Sequence, residues 1–584
     1  MHQAYLMVAT SFVTFIVLTI SVGLYQYVYP KKKIQPLALL LMFSVLPLIS
    51  ILRPGMPESG DFPLHTFFTM NFFNTLKDGN WLPQWASLAA GGYGEPFFIY
   101  MYHAPYYLGS FFHLIGFNFI DSTKLVFISS YLLSCITMYL WSKEEFGSPA
   151  SVLATLCYQF APYHLILLHF YTAYGEQTAF ALLPFLFYAV RKYMVTQQYL
   201  WFMLIAGSFA LAIISHLTLA LTVLPFLAVY AFILYRKTSG SWKTLMLSYL
   251  GIGTGICLSG YYWIQLILES GYVVNKNMLH VQTQHFLDFF YSPWGLGFLF
   301  QGKFGQVKFL IGYAQWIAVF LILLLLVKRM IAGKDKTVTY FYLLSFAVLF
   351  LFMQDFSAKI WTLPFLNNYR STNRLLLFEA FFTAALAALV CRNIHRLVKN
   401  NVRRNLLLVS ISLFAVFSTI PNWGSRKMIP VNNPNQESSI EAFRVIEYSL
   451  LPIWLKNTHF IERKGYVSGA DVLKGDAKIT KISRTTTKHV YKIIAKSDAT
   501  IKENTLYFPG WMIKVNGKTT PINYTDKVYS GIMLFNVPKG TNTVEVNFIG
   551  SPIRQITLVL SLLILASLLA FPLIRTRLKE WTIA

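Results

Sequence analysis

The chain predicts a polytopic α-helical membrane protein of about thirteen spans, with a small extracytoplasmic β-sandwich-like domain before the last span. Three observations predict it. Of 584 residues, 55% are hydrophobic and only 12% charged, which excludes an ordinary soluble protein. Apolar runs of about 20 residues recur along the chain. The 49 Lys and Arg, which give a formal charge of +25, cluster in alternate gaps between those runs, so the excess marks cytoplasmic loops rather than a nucleic-acid surface.

Candidate spans cover residues 4–29, 35–52, 122–141, 149–167, 178–194, 199–215, 217–234, 243–267, 309–327, 338–353, 371–391, 404–420 and 553–573. The pair meeting at Ser215 and His216 must turn without Gly or Pro, and two short helices are expected there. The first run lacks a basic lead and a small-residue cleavage site, so it is expected to be a retained helix. Lys31 to Lys33, Lys143, Arg191 and Lys192, Arg236 to Lys243, Lys328 to Lys336, Arg392 to Arg404 and Arg575 to Lys579 then share the cytoplasmic side. Segments 53–121, 168–177, 268–308, 354–370 and 421–552 face outward. The hydrophobic stretch 105–117 would invert every later span if it crossed, so it is expected to lie in the interface or re-enter.

Three parts follow: a transmembrane module (1–420) with its first outside loop at 53–121, a mainly β extracytoplasmic domain (421–552), and a final helix with a cytoplasmic tail (553–584). In the β domain, Trp511 to Val515 followed by Asn516-Gly517 predicts a strand entering a hairpin turn, and Val544, Val546 and Phe548 alternate as on a half-buried strand. Ser438 or Ser439 is placed to cap an amphipathic helix running to Leu455. The four cysteines, Cys135, Cys157, Cys257 and Cys391, lie in or beside apolar runs and imply neither a disulfide framework nor a zinc site.

The chain has no Walker A sequence, dinucleotide fingerprint, Asp-x-Asp pair or HExxH, so no nucleotide cofactor is expected. Chemistry-bearing residues gather instead in the outward segments. The loop from Arg53 to Pro105 is too long for a plain connector and holds Asp61, His65, Asp78, Trp81, Trp85, Glu95 and His103. Asp61 and His65 share a helix face if a helix begins at once. Asp61 is then either a turn-favouring aspartate or a carboxylate poised to accept a hydroxyl proton or bind a divalent ion. Glu176, in Tyr171-Thr172-Ala173-Tyr174-Gly175-Glu176, is either a helix-start acid favoured by the dipole or a second site carboxylate.

Arg370 and Arg374 flank Ser371 to Asn373, where each could snorkel or grip phosphate oxygens. His216, at a hairpin tip, is a buried hydrogen-bonded ring or a phosphate donor. Tyr93, Phe97, Phe98, Tyr100, Tyr102, Tyr106 and Tyr107 suit an interfacial belt, sugar stacking or an isoprenoid grip equally.

The succession Asp61 and His65, Trp81-Leu82-Pro83-Gln84-Trp85, Gly91-Gly92-Tyr93-Gly94-Glu95-Pro96-Phe97-Phe98, Tyr102 and Pro105-Tyr106-Tyr107 resembles bacterial multi-pass proteins. They are the families described as pyruvoyl-tetrahydropterin-synthase-related and YfhO-type, placed in the GT-C glycosyltransferase superfamily. Thr172 to Ala179 with Pro184, Ser215-His216, Tyr369-Arg370, Glu447-Tyr448 to Trp454, Tyr507 to Lys518, and Val537-Pro538-Lys539-Gly540 to Phe548 extend it over most of the chain. Gln84 and Glu95 depart from the family's usual Arg and its aromatic or aliphatic residue.

The resemblance implies an inverting transferase moving a sugar from a polyprenyl-phosphate donor, such as undecaprenyl phosphate, to an outer acceptor such as a cell-wall polysaccharide or teichoic acid. The setting implied is the outer face of a bacterial plasma membrane. Asp61 would be the base or metal-linked carboxylate, and Glu176 a second acid, the two sharing a Mg2+ or Mn2+ ion. His65, Tyr93, Tyr102, His103, His216, Tyr369, Arg370 and Arg374 would bind substrate. Nucleic acid is not an expected partner. A flippase of lipid-linked saccharides and a non-catalytic glycan-binding assembly protein remain the alternatives; transporters commonly carry repeats and midplane charges, and this chain shows no repeat.

Overall fold

The computed structural model describes residues 2–32, 34–238, 240–274, 281–290, 309–363, 366, 369–424, 427–431, 450–456 and 468–581. Among them the helices, in chain order, are α1 (His2–Val28), α2 (Pro36–Leu48), α3 (Phe62–Lys77), α4 (Phe97–Tyr100), α5 (Ala104–Leu114), α6 (Phe119–Phe146), α7 (Ser148–Gln159), α8 (Pro162–His169), α9 (Tyr174–Thr196), α10 (Tyr199–Thr238), α11 (Trp242–Leu258), α12 (Gly260–Leu268), α13 (Tyr313–Val327), α14 (Gly333–Met353), α15 (Leu376–Asn393), α16 (Asn401–Phe417) and α17 (Pro552–Trp581).

This is a multi-pass α-helical membrane protein with a sheet domain near its C-terminal end. Each of the thirteen apolar runs falls on a helix, yet the span count differs from expectation. Among the described residues eight helices are long and apolar enough to cross, or up to ten if the broken pairs α7 with α8 and α11 with α12 each count as one span. Two of the runs yield helices too short for a span, α2 with 13 residues and α13 with 15. Residues 199–215 and 217–234 are two helical stretches that meet, as expected, at His216, whose backbone turns extended (φ −165°, ψ 96°); together they make the 40-residue element α10. At 11 residues, α5 falls short of a span.

Two compact units emerge. The first comprises residues 1–65, 116–256 and 278–439. Its centre is α15, almost wholly buried, against which α7, α13 and α14 pack. The α9 and α10 helices are adjacent, and α6 lies against α9. A two-residue ladder pairs β1 (Met56–Pro57) with β2 (Met428–Ile429), Met56 opposite Ile429. At the end of α6 a charged cluster joins five helices, α6, α9, α10, α14 and α15. Glu145 accepts from Arg191 at 2.5 Å and from the Tyr230 hydroxyl at 2.8 Å, while Arg392 pairs with Asp335 at 3.0 Å.

The second unit comprises residues 66–115, 257–277 and 440–584. It carries two antiparallel sheets, built from β3 (Ala470–Lys474), β4 (Ala477–Arg484), β5 (Lys488–Ala495), β6 (Ala499–Leu506), β7 (Trp511–Val515), β8 (Lys518–Thr520), β9 (Ile532–Val537) and β10 (Gly540–Phe548). One sheet has the order β4-β5-β10-β7-β8 and the other β3-β6-β9. The β7–β8 hairpin turns through Asn516 (φ 51°) and Gly517 (φ 79°), with Val515 opposite Lys518. Both central residues are left-handed, as a type I′ turn requires. Val544, Val546 and Phe548 point into a core with Tyr491, Ile493, Ile501, Ile513 and Phe535. The anticipated surface helix from Ser438 or Ser439 falls almost entirely outside the described residues.

The unit draws residues 82–99 into the same core. Trp85 is buried edge-on to Trp511, ring centres 5.3 Å apart, and 5.5 Å from Phe548. Gly94 (φ 77°) lies so close to the Trp85 indole that a β-carbon there would collide with it. The backbone joins the contact, Leu506 N donating to Tyr93 O at 2.9 Å.

Candidate functional site

The site in the first unit is built from four stretches: the start of α3, the turn between α8 and α9, the break in α10, and the approach to α15. Phe62-Pro63 suits the first turn of α3, where a missing N–H costs nothing. Asp61 holds the N-cap place, its carbonyl accepting from His65 N at 2.9 Å. Its own N–H donates to Tyr171 O at 3.2 Å, which ties the two outward segments together. Gly60 permits this approach: a β-carbon there would collide with Tyr171 O and stand 2.9 Å from Phe170 O.

Asp61 is exposed, whereas His65 one turn on is 3% exposed and stacks on Tyr174, ring centres 4.7 Å apart. Tyr174 N donates to His65 Nε2 at 3.4 Å. Burial pushes the His65 imidazole down to about 3, so it is neutral, with Nε2 as an acceptor.

Glu176, in the first turn of α9, is 2% exposed and its two oxygens are separately engaged. Oε2 accepts from the Tyr163 hydroxyl at 2.5 Å and Oε1 from Arg374 Nε at 2.9 Å. Arg374 Nη1 donates to Tyr369 O at 2.8 Å, and the Tyr369 hydroxyl lies 3.2 Å from Thr222 Oγ1 on α10. His216, at the α10 break, takes the Leu219 N–H on Nδ1 at 3.4 Å, and the charges of Arg374 and Arg370 reach its ring.

Asp61 belongs to the same electrostatic neighbourhood. Burial raises the Tyr171 phenol, the Glu176 and Asp61 carboxylates raise it further, and Arg374 and Arg370 oppose them. Burial and the adjacent Arg374 lower the Arg370 guanidinium, while Tyr171 and Asp61 pull it back. An exposed carboxylate and an exposed Arg370 side chain therefore lie within electrostatic reach of each other, and Tyr171 feels both them and the buried Glu176–Arg374 pair.

The backbone is strained on both flanks. Thr172 (φ 47°) and Arg370 (φ 62°) are two of six non-glycine residues with positive φ among the described residues. Each costs about 1–3 kcal/mol and persists only where surroundings dictate it. Two buried polar atoms beside this backbone, Thr172 Oγ1 and Asn373 Oδ1, have no hydrogen-bond partner among the described residues.

Thus Asp61, His65, Glu176, His216, Tyr369, Arg370 and Arg374 all lie in the first unit. Tyr93, Tyr102 and His103 lie in the second, each with its own partners: Tyr93 in the sandwich core, Tyr102 stacked on Tyr106 at 5.8 Å, and His103 Nε2 donating to Phe98 O at 2.6 Å. Burial drives the His103 imidazole down to about 4, against the pull of its Phe98 contact. Glu95, also in the second unit, is 5% exposed and pushed up to about 8 by burial.

Sequence reasoning missed Tyr163, the hydrogen-bond donor to Glu176, and passed over Tyr171. A tyrosine inside an apolar run carries no pattern that separates it from core; Tyr171 stands in the outward stretch Tyr171 to Glu176 itself, a positional signal for a site residue.

A Mg2+ or Mn2+ ion held by Asp61 and Glu176 would have to share Glu176 with the Tyr163 hydroxyl and the Arg374 guanidinium, one on each oxygen. No cluster of three or more His, Cys, Asp or Glu side chains able to hold a metal ion occurs among the described residues. The carboxylate set is thus a poor fit to a divalent ion, and no chemical step below is routed through one.

No protein-family model matches the chain. An uncharacterized protein of Lactococcus lactis subsp. cremoris (strain MG1363) is 22% identical over 339 residues, which cover 56% of this chain and 54% of that protein. The chain thus spans about half the length of the curated relative it matches. Among solved structures, an Archaeoglobus fulgidus oligosaccharyltransferase tethered with an acceptor peptide is similar over 67% of this chain and 55% of its own, at 12% identity and a TM-score of 0.40. The archaeal oligosaccharyltransferase AglB from Archaeoglobus fulgidus, in complex with an inhibitory peptide and a dolichol-phosphate, covers 67% and 56%, also at 12% identity and 0.40.

Proposed function

We propose that the chain is an inverting glycosyltransferase of the GT-C type, taking a sugar from a polyprenyl-phosphate donor at the outer face of a bacterial plasma membrane. The acceptor class is an extracytoplasmic glycan, such as a wall polysaccharide or teichoic acid. The observation that carries this reading is the exposed Asp61 carboxylate at the start of α3, with Arg370 within electrostatic reach and the buried Glu176–Arg374 pair acting on the same Tyr171.

Asp61 accepts the proton of an acceptor hydroxyl as that oxygen forms its bond to the anomeric carbon. The bond from that carbon to the lipid-phosphate oxygen breaks, and the phosphate departs with the electron pair. Arg370 meets the growing charge, an interaction that strengthens toward the transition state and so accelerates the step. Arg374 is committed to Glu176 and acts as a positioning residue; His65, neutral and buried, holds the α3 start against Tyr174.

The test is transfer by purified protein from a polyprenyl-phosphate sugar. Wild type is active, and Asp61→Asn is reduced by about 10²-fold or more, the usual worth of a positioned base. Undiminished transfer by Asp61→Asn removes the residue from the mechanism. The flippase alternative predicts the opposite pairing: lipid-linked saccharide crossing vesicles without any transfer.

A further inference from the structure

We infer that the first unit carries a separate binding groove for an anionic phospholipid, between α1 and the C-terminal end of α2. A cavity of about 570 Å³ opens there, lined by Met7, Thr10, Ser11 and Thr14 of α1, by Ile49, Arg53 and Pro54 after α2, and by Met428 of β2. The α1 residues follow i, i+3, i+4, i+7 spacing and so form one continuous face. The volume lies in the range of ligand sites, about 300–1,000 Å³.

Its chemistry grades from one end to the other. Met7, Ile49, Pro54 and Met428 give apolar walls. The Ser11 and Thr14 hydroxyls donate back to Met7 O at 2.9 Å and Thr10 O at 2.7 Å, which hides their protons and leaves their oxygens as acceptors. Arg53 supplies a permanent positive charge in the lining, its Nε anchored on Ser50 O at 3.0 Å. Lys124 stands behind it, donating to Arg53 O at 2.8 Å and pairing with Asp121 at 3.1 Å.

An apolar channel with a guanidinium in its wall matches a ligand with a hydrocarbon tail and a phosphate head. The groove holds a phosphate head and the first part of a hydrocarbon tail, the rest of which runs into the bilayer; the abundance of glycerophospholipids there makes an anionic phospholipid the occupant we assign. The groove also lies against α1, only 17% of whose apolar window is buried, so bilayer lipid has direct access.

The test uses full-length protein purified in detergent, with binding read by native mass spectrometry and folding by the thermal midpoint. The probes are phosphatidylglycerol, diacylglycerol and undecaprenyl phosphate. Phosphatidylglycerol should bind at least about tenfold tighter than diacylglycerol, the equivalent of one charge-assisted contact. Undecaprenyl phosphate should not displace it. Arg53→Gln should lower phosphatidylglycerol affinity about tenfold, and Thr14→Phe, which fills the groove from α1, should lower it as much at an unchanged midpoint. Equal affinity for the two glycerolipids, displacement by undecaprenyl phosphate, or wild-type binding in Thr14→Phe would each overturn the assignment. Should Arg53→Gln fail to fold, Thr14→Phe and the lipid comparison decide the matter alone.

Discussion

Arg374 reaches Glu176 across 198 positions of sequence, Nε to Oε1 at 2.9 Å, in a pair whose carboxylate side chain is 3% exposed. Taking two charges out of water is repaid only when both are well paired. Glu176 meets that condition through Tyr163, and Arg374 through Tyr369 O.

Breaking the pair from one side should therefore be costly. Glu176→Ala leaves a guanidinium that is mostly buried without its carboxylate, and a loss of about 3–5 kcal/mol is expected. The double variant Glu176→Met, Arg374→Met should recover much of it. Thermal or denaturant midpoints of the two single variants and the double variant measure the coupling; simple additivity would show that the pair contributes nothing as a unit.

Asp61→Asn should separate activity from folding. The side chain is exposed, so the midpoint should stay within about 0.5 kcal/mol of wild type, while transfer falls by about 10²-fold or more. Because Asn caps a helix as well as Asp, a purely structural N-cap would show instead as an active Asp61→Asn protein beside a destabilised Asp61→Ala.

Gly60→Ala probes the same residue without touching its carboxylate. The added methyl meets Tyr171 O, and neither backbone can yield cheaply. A destabilisation of about 1–3 kcal/mol is expected, with kcat falling as Asp61 moves from its Tyr171 anchor. Wild-type kcat in a folded Gly60→Ala protein would show that the spacing between the two segments is not used.

The β sandwich should be acid-sensitive through Glu503. Burial pushes this carboxyl up, yet contacts from His489 Nδ1 at 3.0 Å and Arg484 Nη1 at 2.5 Å outweigh it, and its pKa lies below the usual value. A depressed carboxyl stabilises the fold above the unfolded pKa, and that stability is lost as pH falls through the folded one. His489, lowered first by burial, acts in the same direction, because the unfolded ring gains its proton at higher pH than the folded one. Melting between pH 7 and pH 3 should show the midpoint dropping on acidification, and Glu503→Gln should start lower and flatten the slope. An unchanged slope would place the sensitivity elsewhere.

The sequence made the membrane architecture legible because apolar runs are local. The Asn516-Gly517 hairpin and the Val544, Val546, Phe548 alternation were legible for the same reason, since turn chemistry and pleat period act within a few residues. The break at His216 was legible as well, whereas the span count was not, because α2 and α13 stop short of a span. The membership of the second unit was equally hidden. Trp85 reads as a loop aromatic until Trp511 and Phe548 enclose it. At the site, Asp61 and Glu176 stood out by position and charge, whereas the pairing of Glu176 with Arg374 and Tyr163 is long-range packing, which no spacing rule reports.

Trp85 also sets a timetable. Its indole is made long before the rings that shelter it, Trp511 and Phe548. Throughout the intervening synthesis a large sticky surface lacks those native partners within the nascent polypeptide. A prematurely terminated product would keep that surface uncovered, giving quality-control proteases and chaperones a ready signal that the C-terminal strands never arrived.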